Sequence, residues 1–383
     1  MRKIKLGDIA SYINGYAFKP SDWGEEGLPI IRIQDLTGNS YQMNRYSGQY
    51  PTKIEINNGD VLISWSASLG VYEWNHGKAL LNQHIFKVVF DKVEIDKKYF
   101  IYAIEHSLAE MESKTHGATM KHIVKKDFDN TEIPYPSIEE QRIIAAHIGE
   151  VVALIELRAE QLKKLDELVK SRFIEMFGDP TLNPFGWEIV NITEVVGGKV
   201  SNGFFAKRED YIDDGNVSVL GVVNVVNRMY SNIEGLPRTH GSTSDIQKYG
   251  VKYGDMLFCR SSLVAEGIGK ASVVPQDVLP NTLFECHVIR LPLDLNKCVP
   301  EFMQVLSTTD YFRSQVISQS KTATMTTIGQ DGILKTTIIL PPIEKQKQFL
   351  EFIKQTDKSK FEIQQSLEKL EILKKSLMQQ YFG

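Results

Sequence analysis

Two loops, NGYAFKPS (14–21) and NGFFAKRE (202–209), set a glycine beside clustered cations, a combination suited to holding phosphate. Gly15 and Gly203 would let the backbone approach an anion, while Lys19, Lys207 and Arg208 would supply charge. A plain hairpin turn accounts for the same residues. A second matched pair, GATMKHI (117–123) and TATMTTI (322–328), sets Lys121 and His122 in one copy against Thr326 and Thr327 in the other. It serves equally as a lead-in that seats a following helix. Arg32, Arg228, Arg260 and Ser261 follow or end strand-like runs. From there an arginine can read guanine and a hydroxyl can reach a base edge or a phosphate.

Motifs for covalent chemistry are not formed. NPFG (183–186) comes nearest to the (D/N/S)-P-P-(Y/F) loop of an adenine methyltransferase, but it lacks the second proline and sits between elements. GIGK (267–270) is not a phosphate loop, because Val264 stands where a Walker motif needs glycine. Asp60, Asp96 and Lys98 are the types that hold a metal ion in a nuclease, yet Asp96-Lys97-Lys98 reads as a solvated helix start. His84 and His287 fall at matching strand positions without a companion ligand cluster. Cys259, Cys286 and Cys298 form no CxxC pair, so reduced and mostly buried thiols are expected rather than a disulfide or zinc framework. Catalytic, metal and cofactor residues are therefore all expected to be absent from this chain.

The elements that must position these loops are written twice. Pro136, Ile138, Glu139 and Gln141 match Pro341, Ile343, Glu344 and Gln346, and the offset (341 − 136 = 205) holds through Phe177-Gly178 against Phe382-Gly383. GDVLIS (59–64) resembles GDMLFC (254–259), as NGYAFK resembles NGFFAK. Four matches in one order define an internal repeat. The chain then reads as a variable unit (1–135), a helix (136–178), a second variable unit (179–340) and a second helix (341–383). DPTLNPFGW after Gly178 is a helix stop and linker. Within the variable units LPIIRIQ, DVLISW, HIFKVVF, VSVLGVV, DMLFC and CHVIRL are predicted strands. Residues 98–111 and 300–316 are predicted helical, so each unit is of mixed α and β structure.

Along the first long helix Ile148, Ile155, Leu162, Val169 and Met176 fall on a seven-residue column, with Ile144, Val151 and Leu165 beside it. In the second, Phe349, Ile363, Leu370 and Leu377 repeat the column, beside Ile353 and Leu367. Such stripes pack best on each other, and a two-fold relation between equal units predicts an antiparallel coiled coil. Each helix would be about 60 Å long at 1.5 Å per residue. Lys360 and Lys374 stand where the first copy has Ile155 and Val169, which predicts asymmetry or loosening there. The alternative is two amphipathic helices, each lying on its own domain.

Two unlike variable domains, each followed by P-x-I-E-x-Q and a long helix closing on FG, resemble the specificity subunit of type I restriction-modification systems. That resemblance covers the whole chain, with PSIEEQ and PPIEKQ its most specific pieces. It implies an α+β fold of two target-recognition domains joined by paired spacer helices. It implies a non-catalytic subunit that reads a bipartite, asymmetric double-stranded DNA site, one half-site per domain, around an unread spacer. The implied partners are two adenine-N6 methyltransferase subunits, which carry S-adenosylmethionine. Through them a restriction/translocase subunit, using ATP and Mg, is implied where one is present. The helix residues above would then serve both the pair and the partner interface. Other readings are a specificity subunit of a related methylation or phage-defence system without the nuclease, a stand-alone DNA-modifying enzyme, and a protein-only scaffold.

Composition fits that picture. Hydrophobic residues are 42% and charged residues 24% of 383, as in a globular protein. No apolar run is long enough to cross a bilayer and the start lacks an apolar signal core, so a cytoplasmic location is expected. Residues 1–135 hold 16 basic and 17 acidic side chains, and 179–340 hold 14 and 17. With neither unit basic, the isolated chain should bind DNA weakly and with strong salt dependence, and tightly only beside its partners.

Overall fold

The computed structural model describes residues 2–38, 43–114, 123–322 and 324–383. It divides into two compact units, Met1–Glu160 with Gln364–Gly383, and Gln161–Ile363. Each unit therefore takes the start of one long helix and the end of the other, rather than stopping where the helices begin.

The repeat seen in the sequence is a repeat of topology. A short antiparallel pair joins Lys3–Lys5 to Glu132–Pro134 in the first unit and Ile189–Asn191 to Thr337–Ile339 in the second. A four-stranded antiparallel sheet runs Ser11–Asn14, Ile85–Val89, Val61–Ser64, Gly70–Glu73 in one unit. Its counterpart runs Ser201–Asn202, Val288–Pro292, Asp255–Cys259, Ala271–Val273. Beside each, one parallel pairing recurs: Leu28–Ile31 with Ala79–Leu81, and Val217–Leu220 with Thr282–Phe284. GDVLIS and GDMLFC supply central strands whose residues, Val61–Ser64 and Asp255–Cys259, are buried throughout, which is why they read as continuous apolar runs.

Three expectations need correction. LPIIRIQ and VSVLGVV are strands only to Ile31 and Leu220, where helical turns Ile33–Leu36 and Val222–Val225 follow. The Asp35 carboxylate accepts the Arg32 N–H at 2.8 Å and the Asn224 amide oxygen accepts the Gly221 N–H at 3.0 Å, closing those turns. Residues 300–316 form two helices, Pro300–Ser307 and Asp310–Ser318, because Thr309 caps the second through its side chain. His84 and His287 lie in turns that lead into strands, His84 with φ 72°, rather than on the strands themselves.

The long helices span Ile138–Phe177 and Ile343–Phe382, 40 residues each. Their P-x-I-E-x-Q openings have a physical purpose in Gln141 and Gln346, which are 1% and 0% exposed. Gln346 Oε1 accepts the Val299 N–H at 2.9 Å, while Nε2 donates to Pro341 O at 2.8 Å and Lys297 O at 3.2 Å. Gln141 repeats this on the Asp96 N–H (2.9 Å) and Pro136 O (3.0 Å). Each glutamine thus pins its helix to the segment entering an earlier helix, Lys97–Lys114 or Pro300–Ser307. The first helix stops at Gly178, φ 75°, where the Trp187 indole donates to Phe177 O at 3.0 Å. Asn183 and Trp187 bond reciprocally, and Lys345 lies over the Trp187 ring, so DPTLNPFGW is a packed turn rather than a loose linker.

In the first unit Ile144 and Ile148 share a core with Met378 and Phe382, with Leu377 packed at its edge. In the second, Val169, Phe173 and Phe177 share one with Phe349 and Ile353. There Asp166 meets Lys360 at 2.6 Å, Arg172 lies over Phe352, and Phe173 packs on Phe349, so the segments run antiparallel. Ile155, Leu162, Leu165, Ile363 and Leu370 are only half-buried. The two out-of-pattern lysines are paired: Lys360 with Asp166, and Lys374 with Glu105 at 2.8 Å.

Glu301 sits in the second core, 2% exposed, accepting Tyr253 Oη at 3.1 Å and Tyr230 Oη at 3.2 Å. Burial pushes its carboxyl above the usual glutamate range. The folded state therefore binds this proton more readily than the unfolded state, and its contribution to stability grows as pH falls between the ordinary and the raised value. Urea unfolding at pH 7 and pH 5 is expected to show this dependence reduced in Glu301→Gln, which keeps an acceptor for both tyrosines. An unchanged dependence would assign the effect to Asp255 and Asp357, which burial also raises.

Candidate nucleic-acid interface

In the second unit three sequence motifs converge. The strand Asp255–Cys259 ends at Arg260, and Ser261–Ser262 then pairs antiparallel with Thr326–Thr327, which pairs in turn with Lys321–Thr322. TATMTTI thus gives Thr322 to one strand and Thr326–Thr327 to the next in a small polar sheet. It does not lead directly into the long helix, because the helix Gln330–Leu334 and the strand Thr337–Ile339 intervene. With its amide turned to suit its neighbours, Gln330 donates to Val200 O at 3.1 Å and accepts from Asn202 N at 3.2 Å, which ties the NGFFAKRE loop to the same place.

The resulting surface is rich in hydroxyls with cations among them. Ser261 Oγ lies 2.7 Å from His287 Nδ1, and the exposed Thr322 Oγ1 lies 3.0 Å from Thr326 Oγ1, which is itself buried beneath the surface. The Arg260 guanidinium is half-buried, held by Cys286 O at 3.1 Å. Such groups can contact phosphate oxygens and base edges, with Arg260 held in place rather than free to search.

The first unit places different chemistry on the same frame. Arg260 N donates to His287 O (2.8 Å) and Arg260 O accepts Ile328 N (3.0 Å); Trp65 N donates to His84 O (3.3 Å) and Trp65 O accepts Ile123 N (3.0 Å). Where one unit offers a guanidinium, the other offers an indole stacked on Phe86 at 5.5 Å. Lys121 and His122 lie outside the described residues.

Other candidates are placed apart or spent otherwise. A Cβ on Gly15 would meet Asn82 O at 2.0 Å and one on Gly203 would meet Glu285 O at 2.1 Å. These glycines therefore permit close approach of the chain to itself, and the Gly15 N–H already donates to Ile85 O. Neither loop is a hairpin: each passes a parallel bridge, Tyr16 to Asn82 or Phe204 to Glu285, into a 3₁₀ turn. Lys19 and Lys207 precede those turns, their amides bonded to Asp22 and Asp210 at 2.7 Å, and with Arg208 their side chains are exposed. Arg32 lies over the Trp23 ring at 5.4 Å. Arg228 follows a helical turn, not a strand, and lines a cavity shared with Ala271 and the helix Pro300–Ser307.

Asp60 pairs with Lys87 at 2.8 Å and Asp96 caps the Tyr99 N–H at 2.9 Å. Among the described residues no group of three or more His, Cys, Asp or Glu is placed to hold a metal ion, and no helix is long and apolar enough to cross a membrane. The cysteines are free; Cys259 and Cys298 are buried and Cys286 is half-buried.

Two copies of one α+β scaffold carrying unlike polar surfaces define a sequence-recognition class of protein. The model of the type I restriction modification DNA specificity domain matches residues 1–167 and 184–374, so the chain belongs to that family. It is 21% identical to the type I restriction enzyme EcoBI specificity subunit of Escherichia coli, over 92% of this chain and 78% of that one. It is 24% identical to the MjaVIII specificity subunit of Methanocaldococcus jannaschii, over 98% and 90%. The fold is that of the type I restriction-modification S subunit from M. genitalium, with TM-score 0.53, 13% identity, and coverage of 100% and 96%. A further solved chain, from a study of complex assembly and conformational transition of the type I R-M system, gives TM-score 0.54 at 16% identity over 99% and 97%. Specificity subunits are the non-catalytic, DNA-recognising component of their complexes.

Trp65 and His287 were not among the residues first singled out for contact. Extending the match of GDVLIS with GDMLFC by one residue pairs Trp65 with Arg260, which is the signal that finds it.

Proposed function

We propose that this chain reads a split, asymmetric duplex site, one half per unit, with an unread spacer between. The observation that supports this reading is the pairing of equivalent frames with unlike side chains, Arg260 in one and Trp65 in the other. The methyl transfer itself belongs to two adenine methyltransferase subunits that bring S-adenosylmethionine. A restriction/translocase subunit that uses ATP and Mg joins through them.

Partner docking needs surface that the helices do not use on each other. The column residues are buried or half-buried, but Ile143, Leu154 and Leu157 of the first unit remain 43–55% exposed on the first long helix. At 3.6 residues per turn they fall within an arc of about 60°, a second apolar face that suits a partner helix. At the offset of 205 the second helix has Gln348, Ser359 and Glu362, so this face belongs to the first helix.

Methylome sequencing of cells carrying this chain with its methyltransferase tests the reading. The expected result is one motif of two short half-sites about a fixed gap. Inserting one heptad into both helices in step should lengthen the gap and leave both half-sites unchanged. A contiguous motif, or new half-site letters, would refute it.

A further inference from the structure

The second unit holds a half-open cavity of about 390 Å³ where the helix Pro300–Ser307, the start of Ala271–Val273 and the long helices meet. Its charge is unlike that of the unit around it. Five cations line it, Lys170, Arg228, Lys270, Arg313 and Lys360, against one carboxylate, Asp166. Asp166 is already taken by Lys360 at 2.6 Å. That leaves four cations, none of which forms an ion pair among the described residues, and three of them, Arg228, Lys270 and Arg313, come from a stretch (179–340) where acids outnumber bases 17 to 14.

Three of the four, Arg313, Lys270 and Arg228, are held by hydrogen bonds. Arg313 is half-buried, anchored through Nη2 to Glu266 O at 3.1 Å, and its Nη1 has no hydrogen-bond partner among the described residues. Lys270 donates to Asn227 Oδ1 at 2.7 Å and keeps further protons to give. Arg228 donates through Nε to Val226 O at 3.3 Å, leaving the rest of its fork. Lys170 and Arg228 are exposed at the rim. Like charges gathered this way repel one another, and an anion entering the cavity turns that cost into attraction.

Which anion follows from the neighbours. Cys259 N donates to Lys270 O at 2.8 Å, so Lys270 lies across the ladder from the residue before Arg260. The cationic cavity and the polar reading surface therefore flank one strand end. We infer that the cavity grips a backbone phosphate of the DNA whose bases the Arg260 surface reads, fixing the register of the duplex on this unit. This rests on the reading of the chain as a DNA-specificity subunit and adds the site that positions the strand.

The test uses the complex with methyltransferase and compares Lys170→Gln, Lys270→Gln and their double variant with the unaltered chain. Binding to the cognate duplex and to one mismatched in this unit's half-site is followed across salt concentrations. Each loss of a phosphate contact should lower the slope of log K against log [salt] by about 0.9 and weaken both duplexes alike. For the double variant the weakening at physiological salt should be about tenfold or more. The methylated motif should keep its letters. An unaltered slope in a complex that still prefers its cognate site overturns the phosphate grip and leaves the specificity reading standing. Changed letters also overturn it, by making these lysines base readers. Stabilisation of the complex by inorganic pyrophosphate, lost in the double variant while the DNA slope is unchanged, overturns it in favour of a small-anion site. If the unaltered complex shows no preference for any duplex, it is the specificity reading that fails.

Discussion

Leucine in place of Gln346 is expected to destabilise the second unit by about 2–5 kcal/mol, since each buried polar group left without a partner costs about 1–3 kcal/mol. The wild-type side chain is fully buried and bonds three backbone groups, Val299 N, Pro341 O and Lys297 O. Leucine is close in size but satisfies none of them. Val299 and Pro341 are buried, so water cannot replace the lost bonds without opening the helix start. Gln141→Leu should act in the same way on the first unit, through Asp96 N and Pro136 O. Glu344→Gln is the control: its carboxylate is exposed and pairs with Lys347 on the surface, so a change within about 0.5 kcal/mol is expected. Urea midpoints measure all three. A small effect of Gln346→Leu would mean that the P-x-I-E-x-Q match has some purpose other than holding the helix start.

That glutamine shows what a single sequence can and cannot disclose. Its position was legible, because it repeats at a fixed offset beside strong helical periodicity. Its task was not, because the partners are backbone groups of a segment 45 to 49 residues away. The long helices were legible for the same reason of period, and so was the burial of Ile148, Val169 and Phe349 on their columns. The strands GDVLIS and GDMLFC were legible as apolar runs. The turns that cut short LPIIRIQ and VSVLGVV were missed because one side-chain oxygen, Asp35 or Asn224, outweighs the β-branched residues around it. At the site, Arg260, Ser261, Thr326 and Thr327 were picked out separately, and the small sheet joins them. Gly15 and Gly203 were picked for the wrong reason: glycine marks close approach of backbone, and here the approaching backbone is the chain's own. The cationic cavity had no linear signal at all. Its lysines and arginines come from five separated segments, and a segment count that nets to acidic hides them.

Phe349→Ala should cost about 3–5 kcal/mol, the usual range for deleting a buried ring, and its effect should be confined by the architecture. Phe349 is fully buried and meets Phe173 at 5.7 Å and Phe177 at 5.5 Å between ring centroids, while both of those also pack on Phe302. Four rings drawn from both long helices and the recognition fold therefore form one cluster, and removing one leaves a gap that three rigid neighbours cannot easily fill. At the offset of 205 the first unit has Ile144, packed near Met378 and Phe382, and Ile144→Ala should cost about 2–5 kcal/mol in a site with more adaptable neighbours. Amide hydrogen exchange should then speed up across 343–363 and 161–177 in Phe349→Ala, with 364–383 and 138–160 changing less, because the aromatic cluster lies wholly within the second unit. Ile144→Ala should reverse that pattern. Uniform acceleration along all 40 residues of each helix in both variants would mean that the two units open together, and that the helices, rather than the units, are the cooperative elements of the fold.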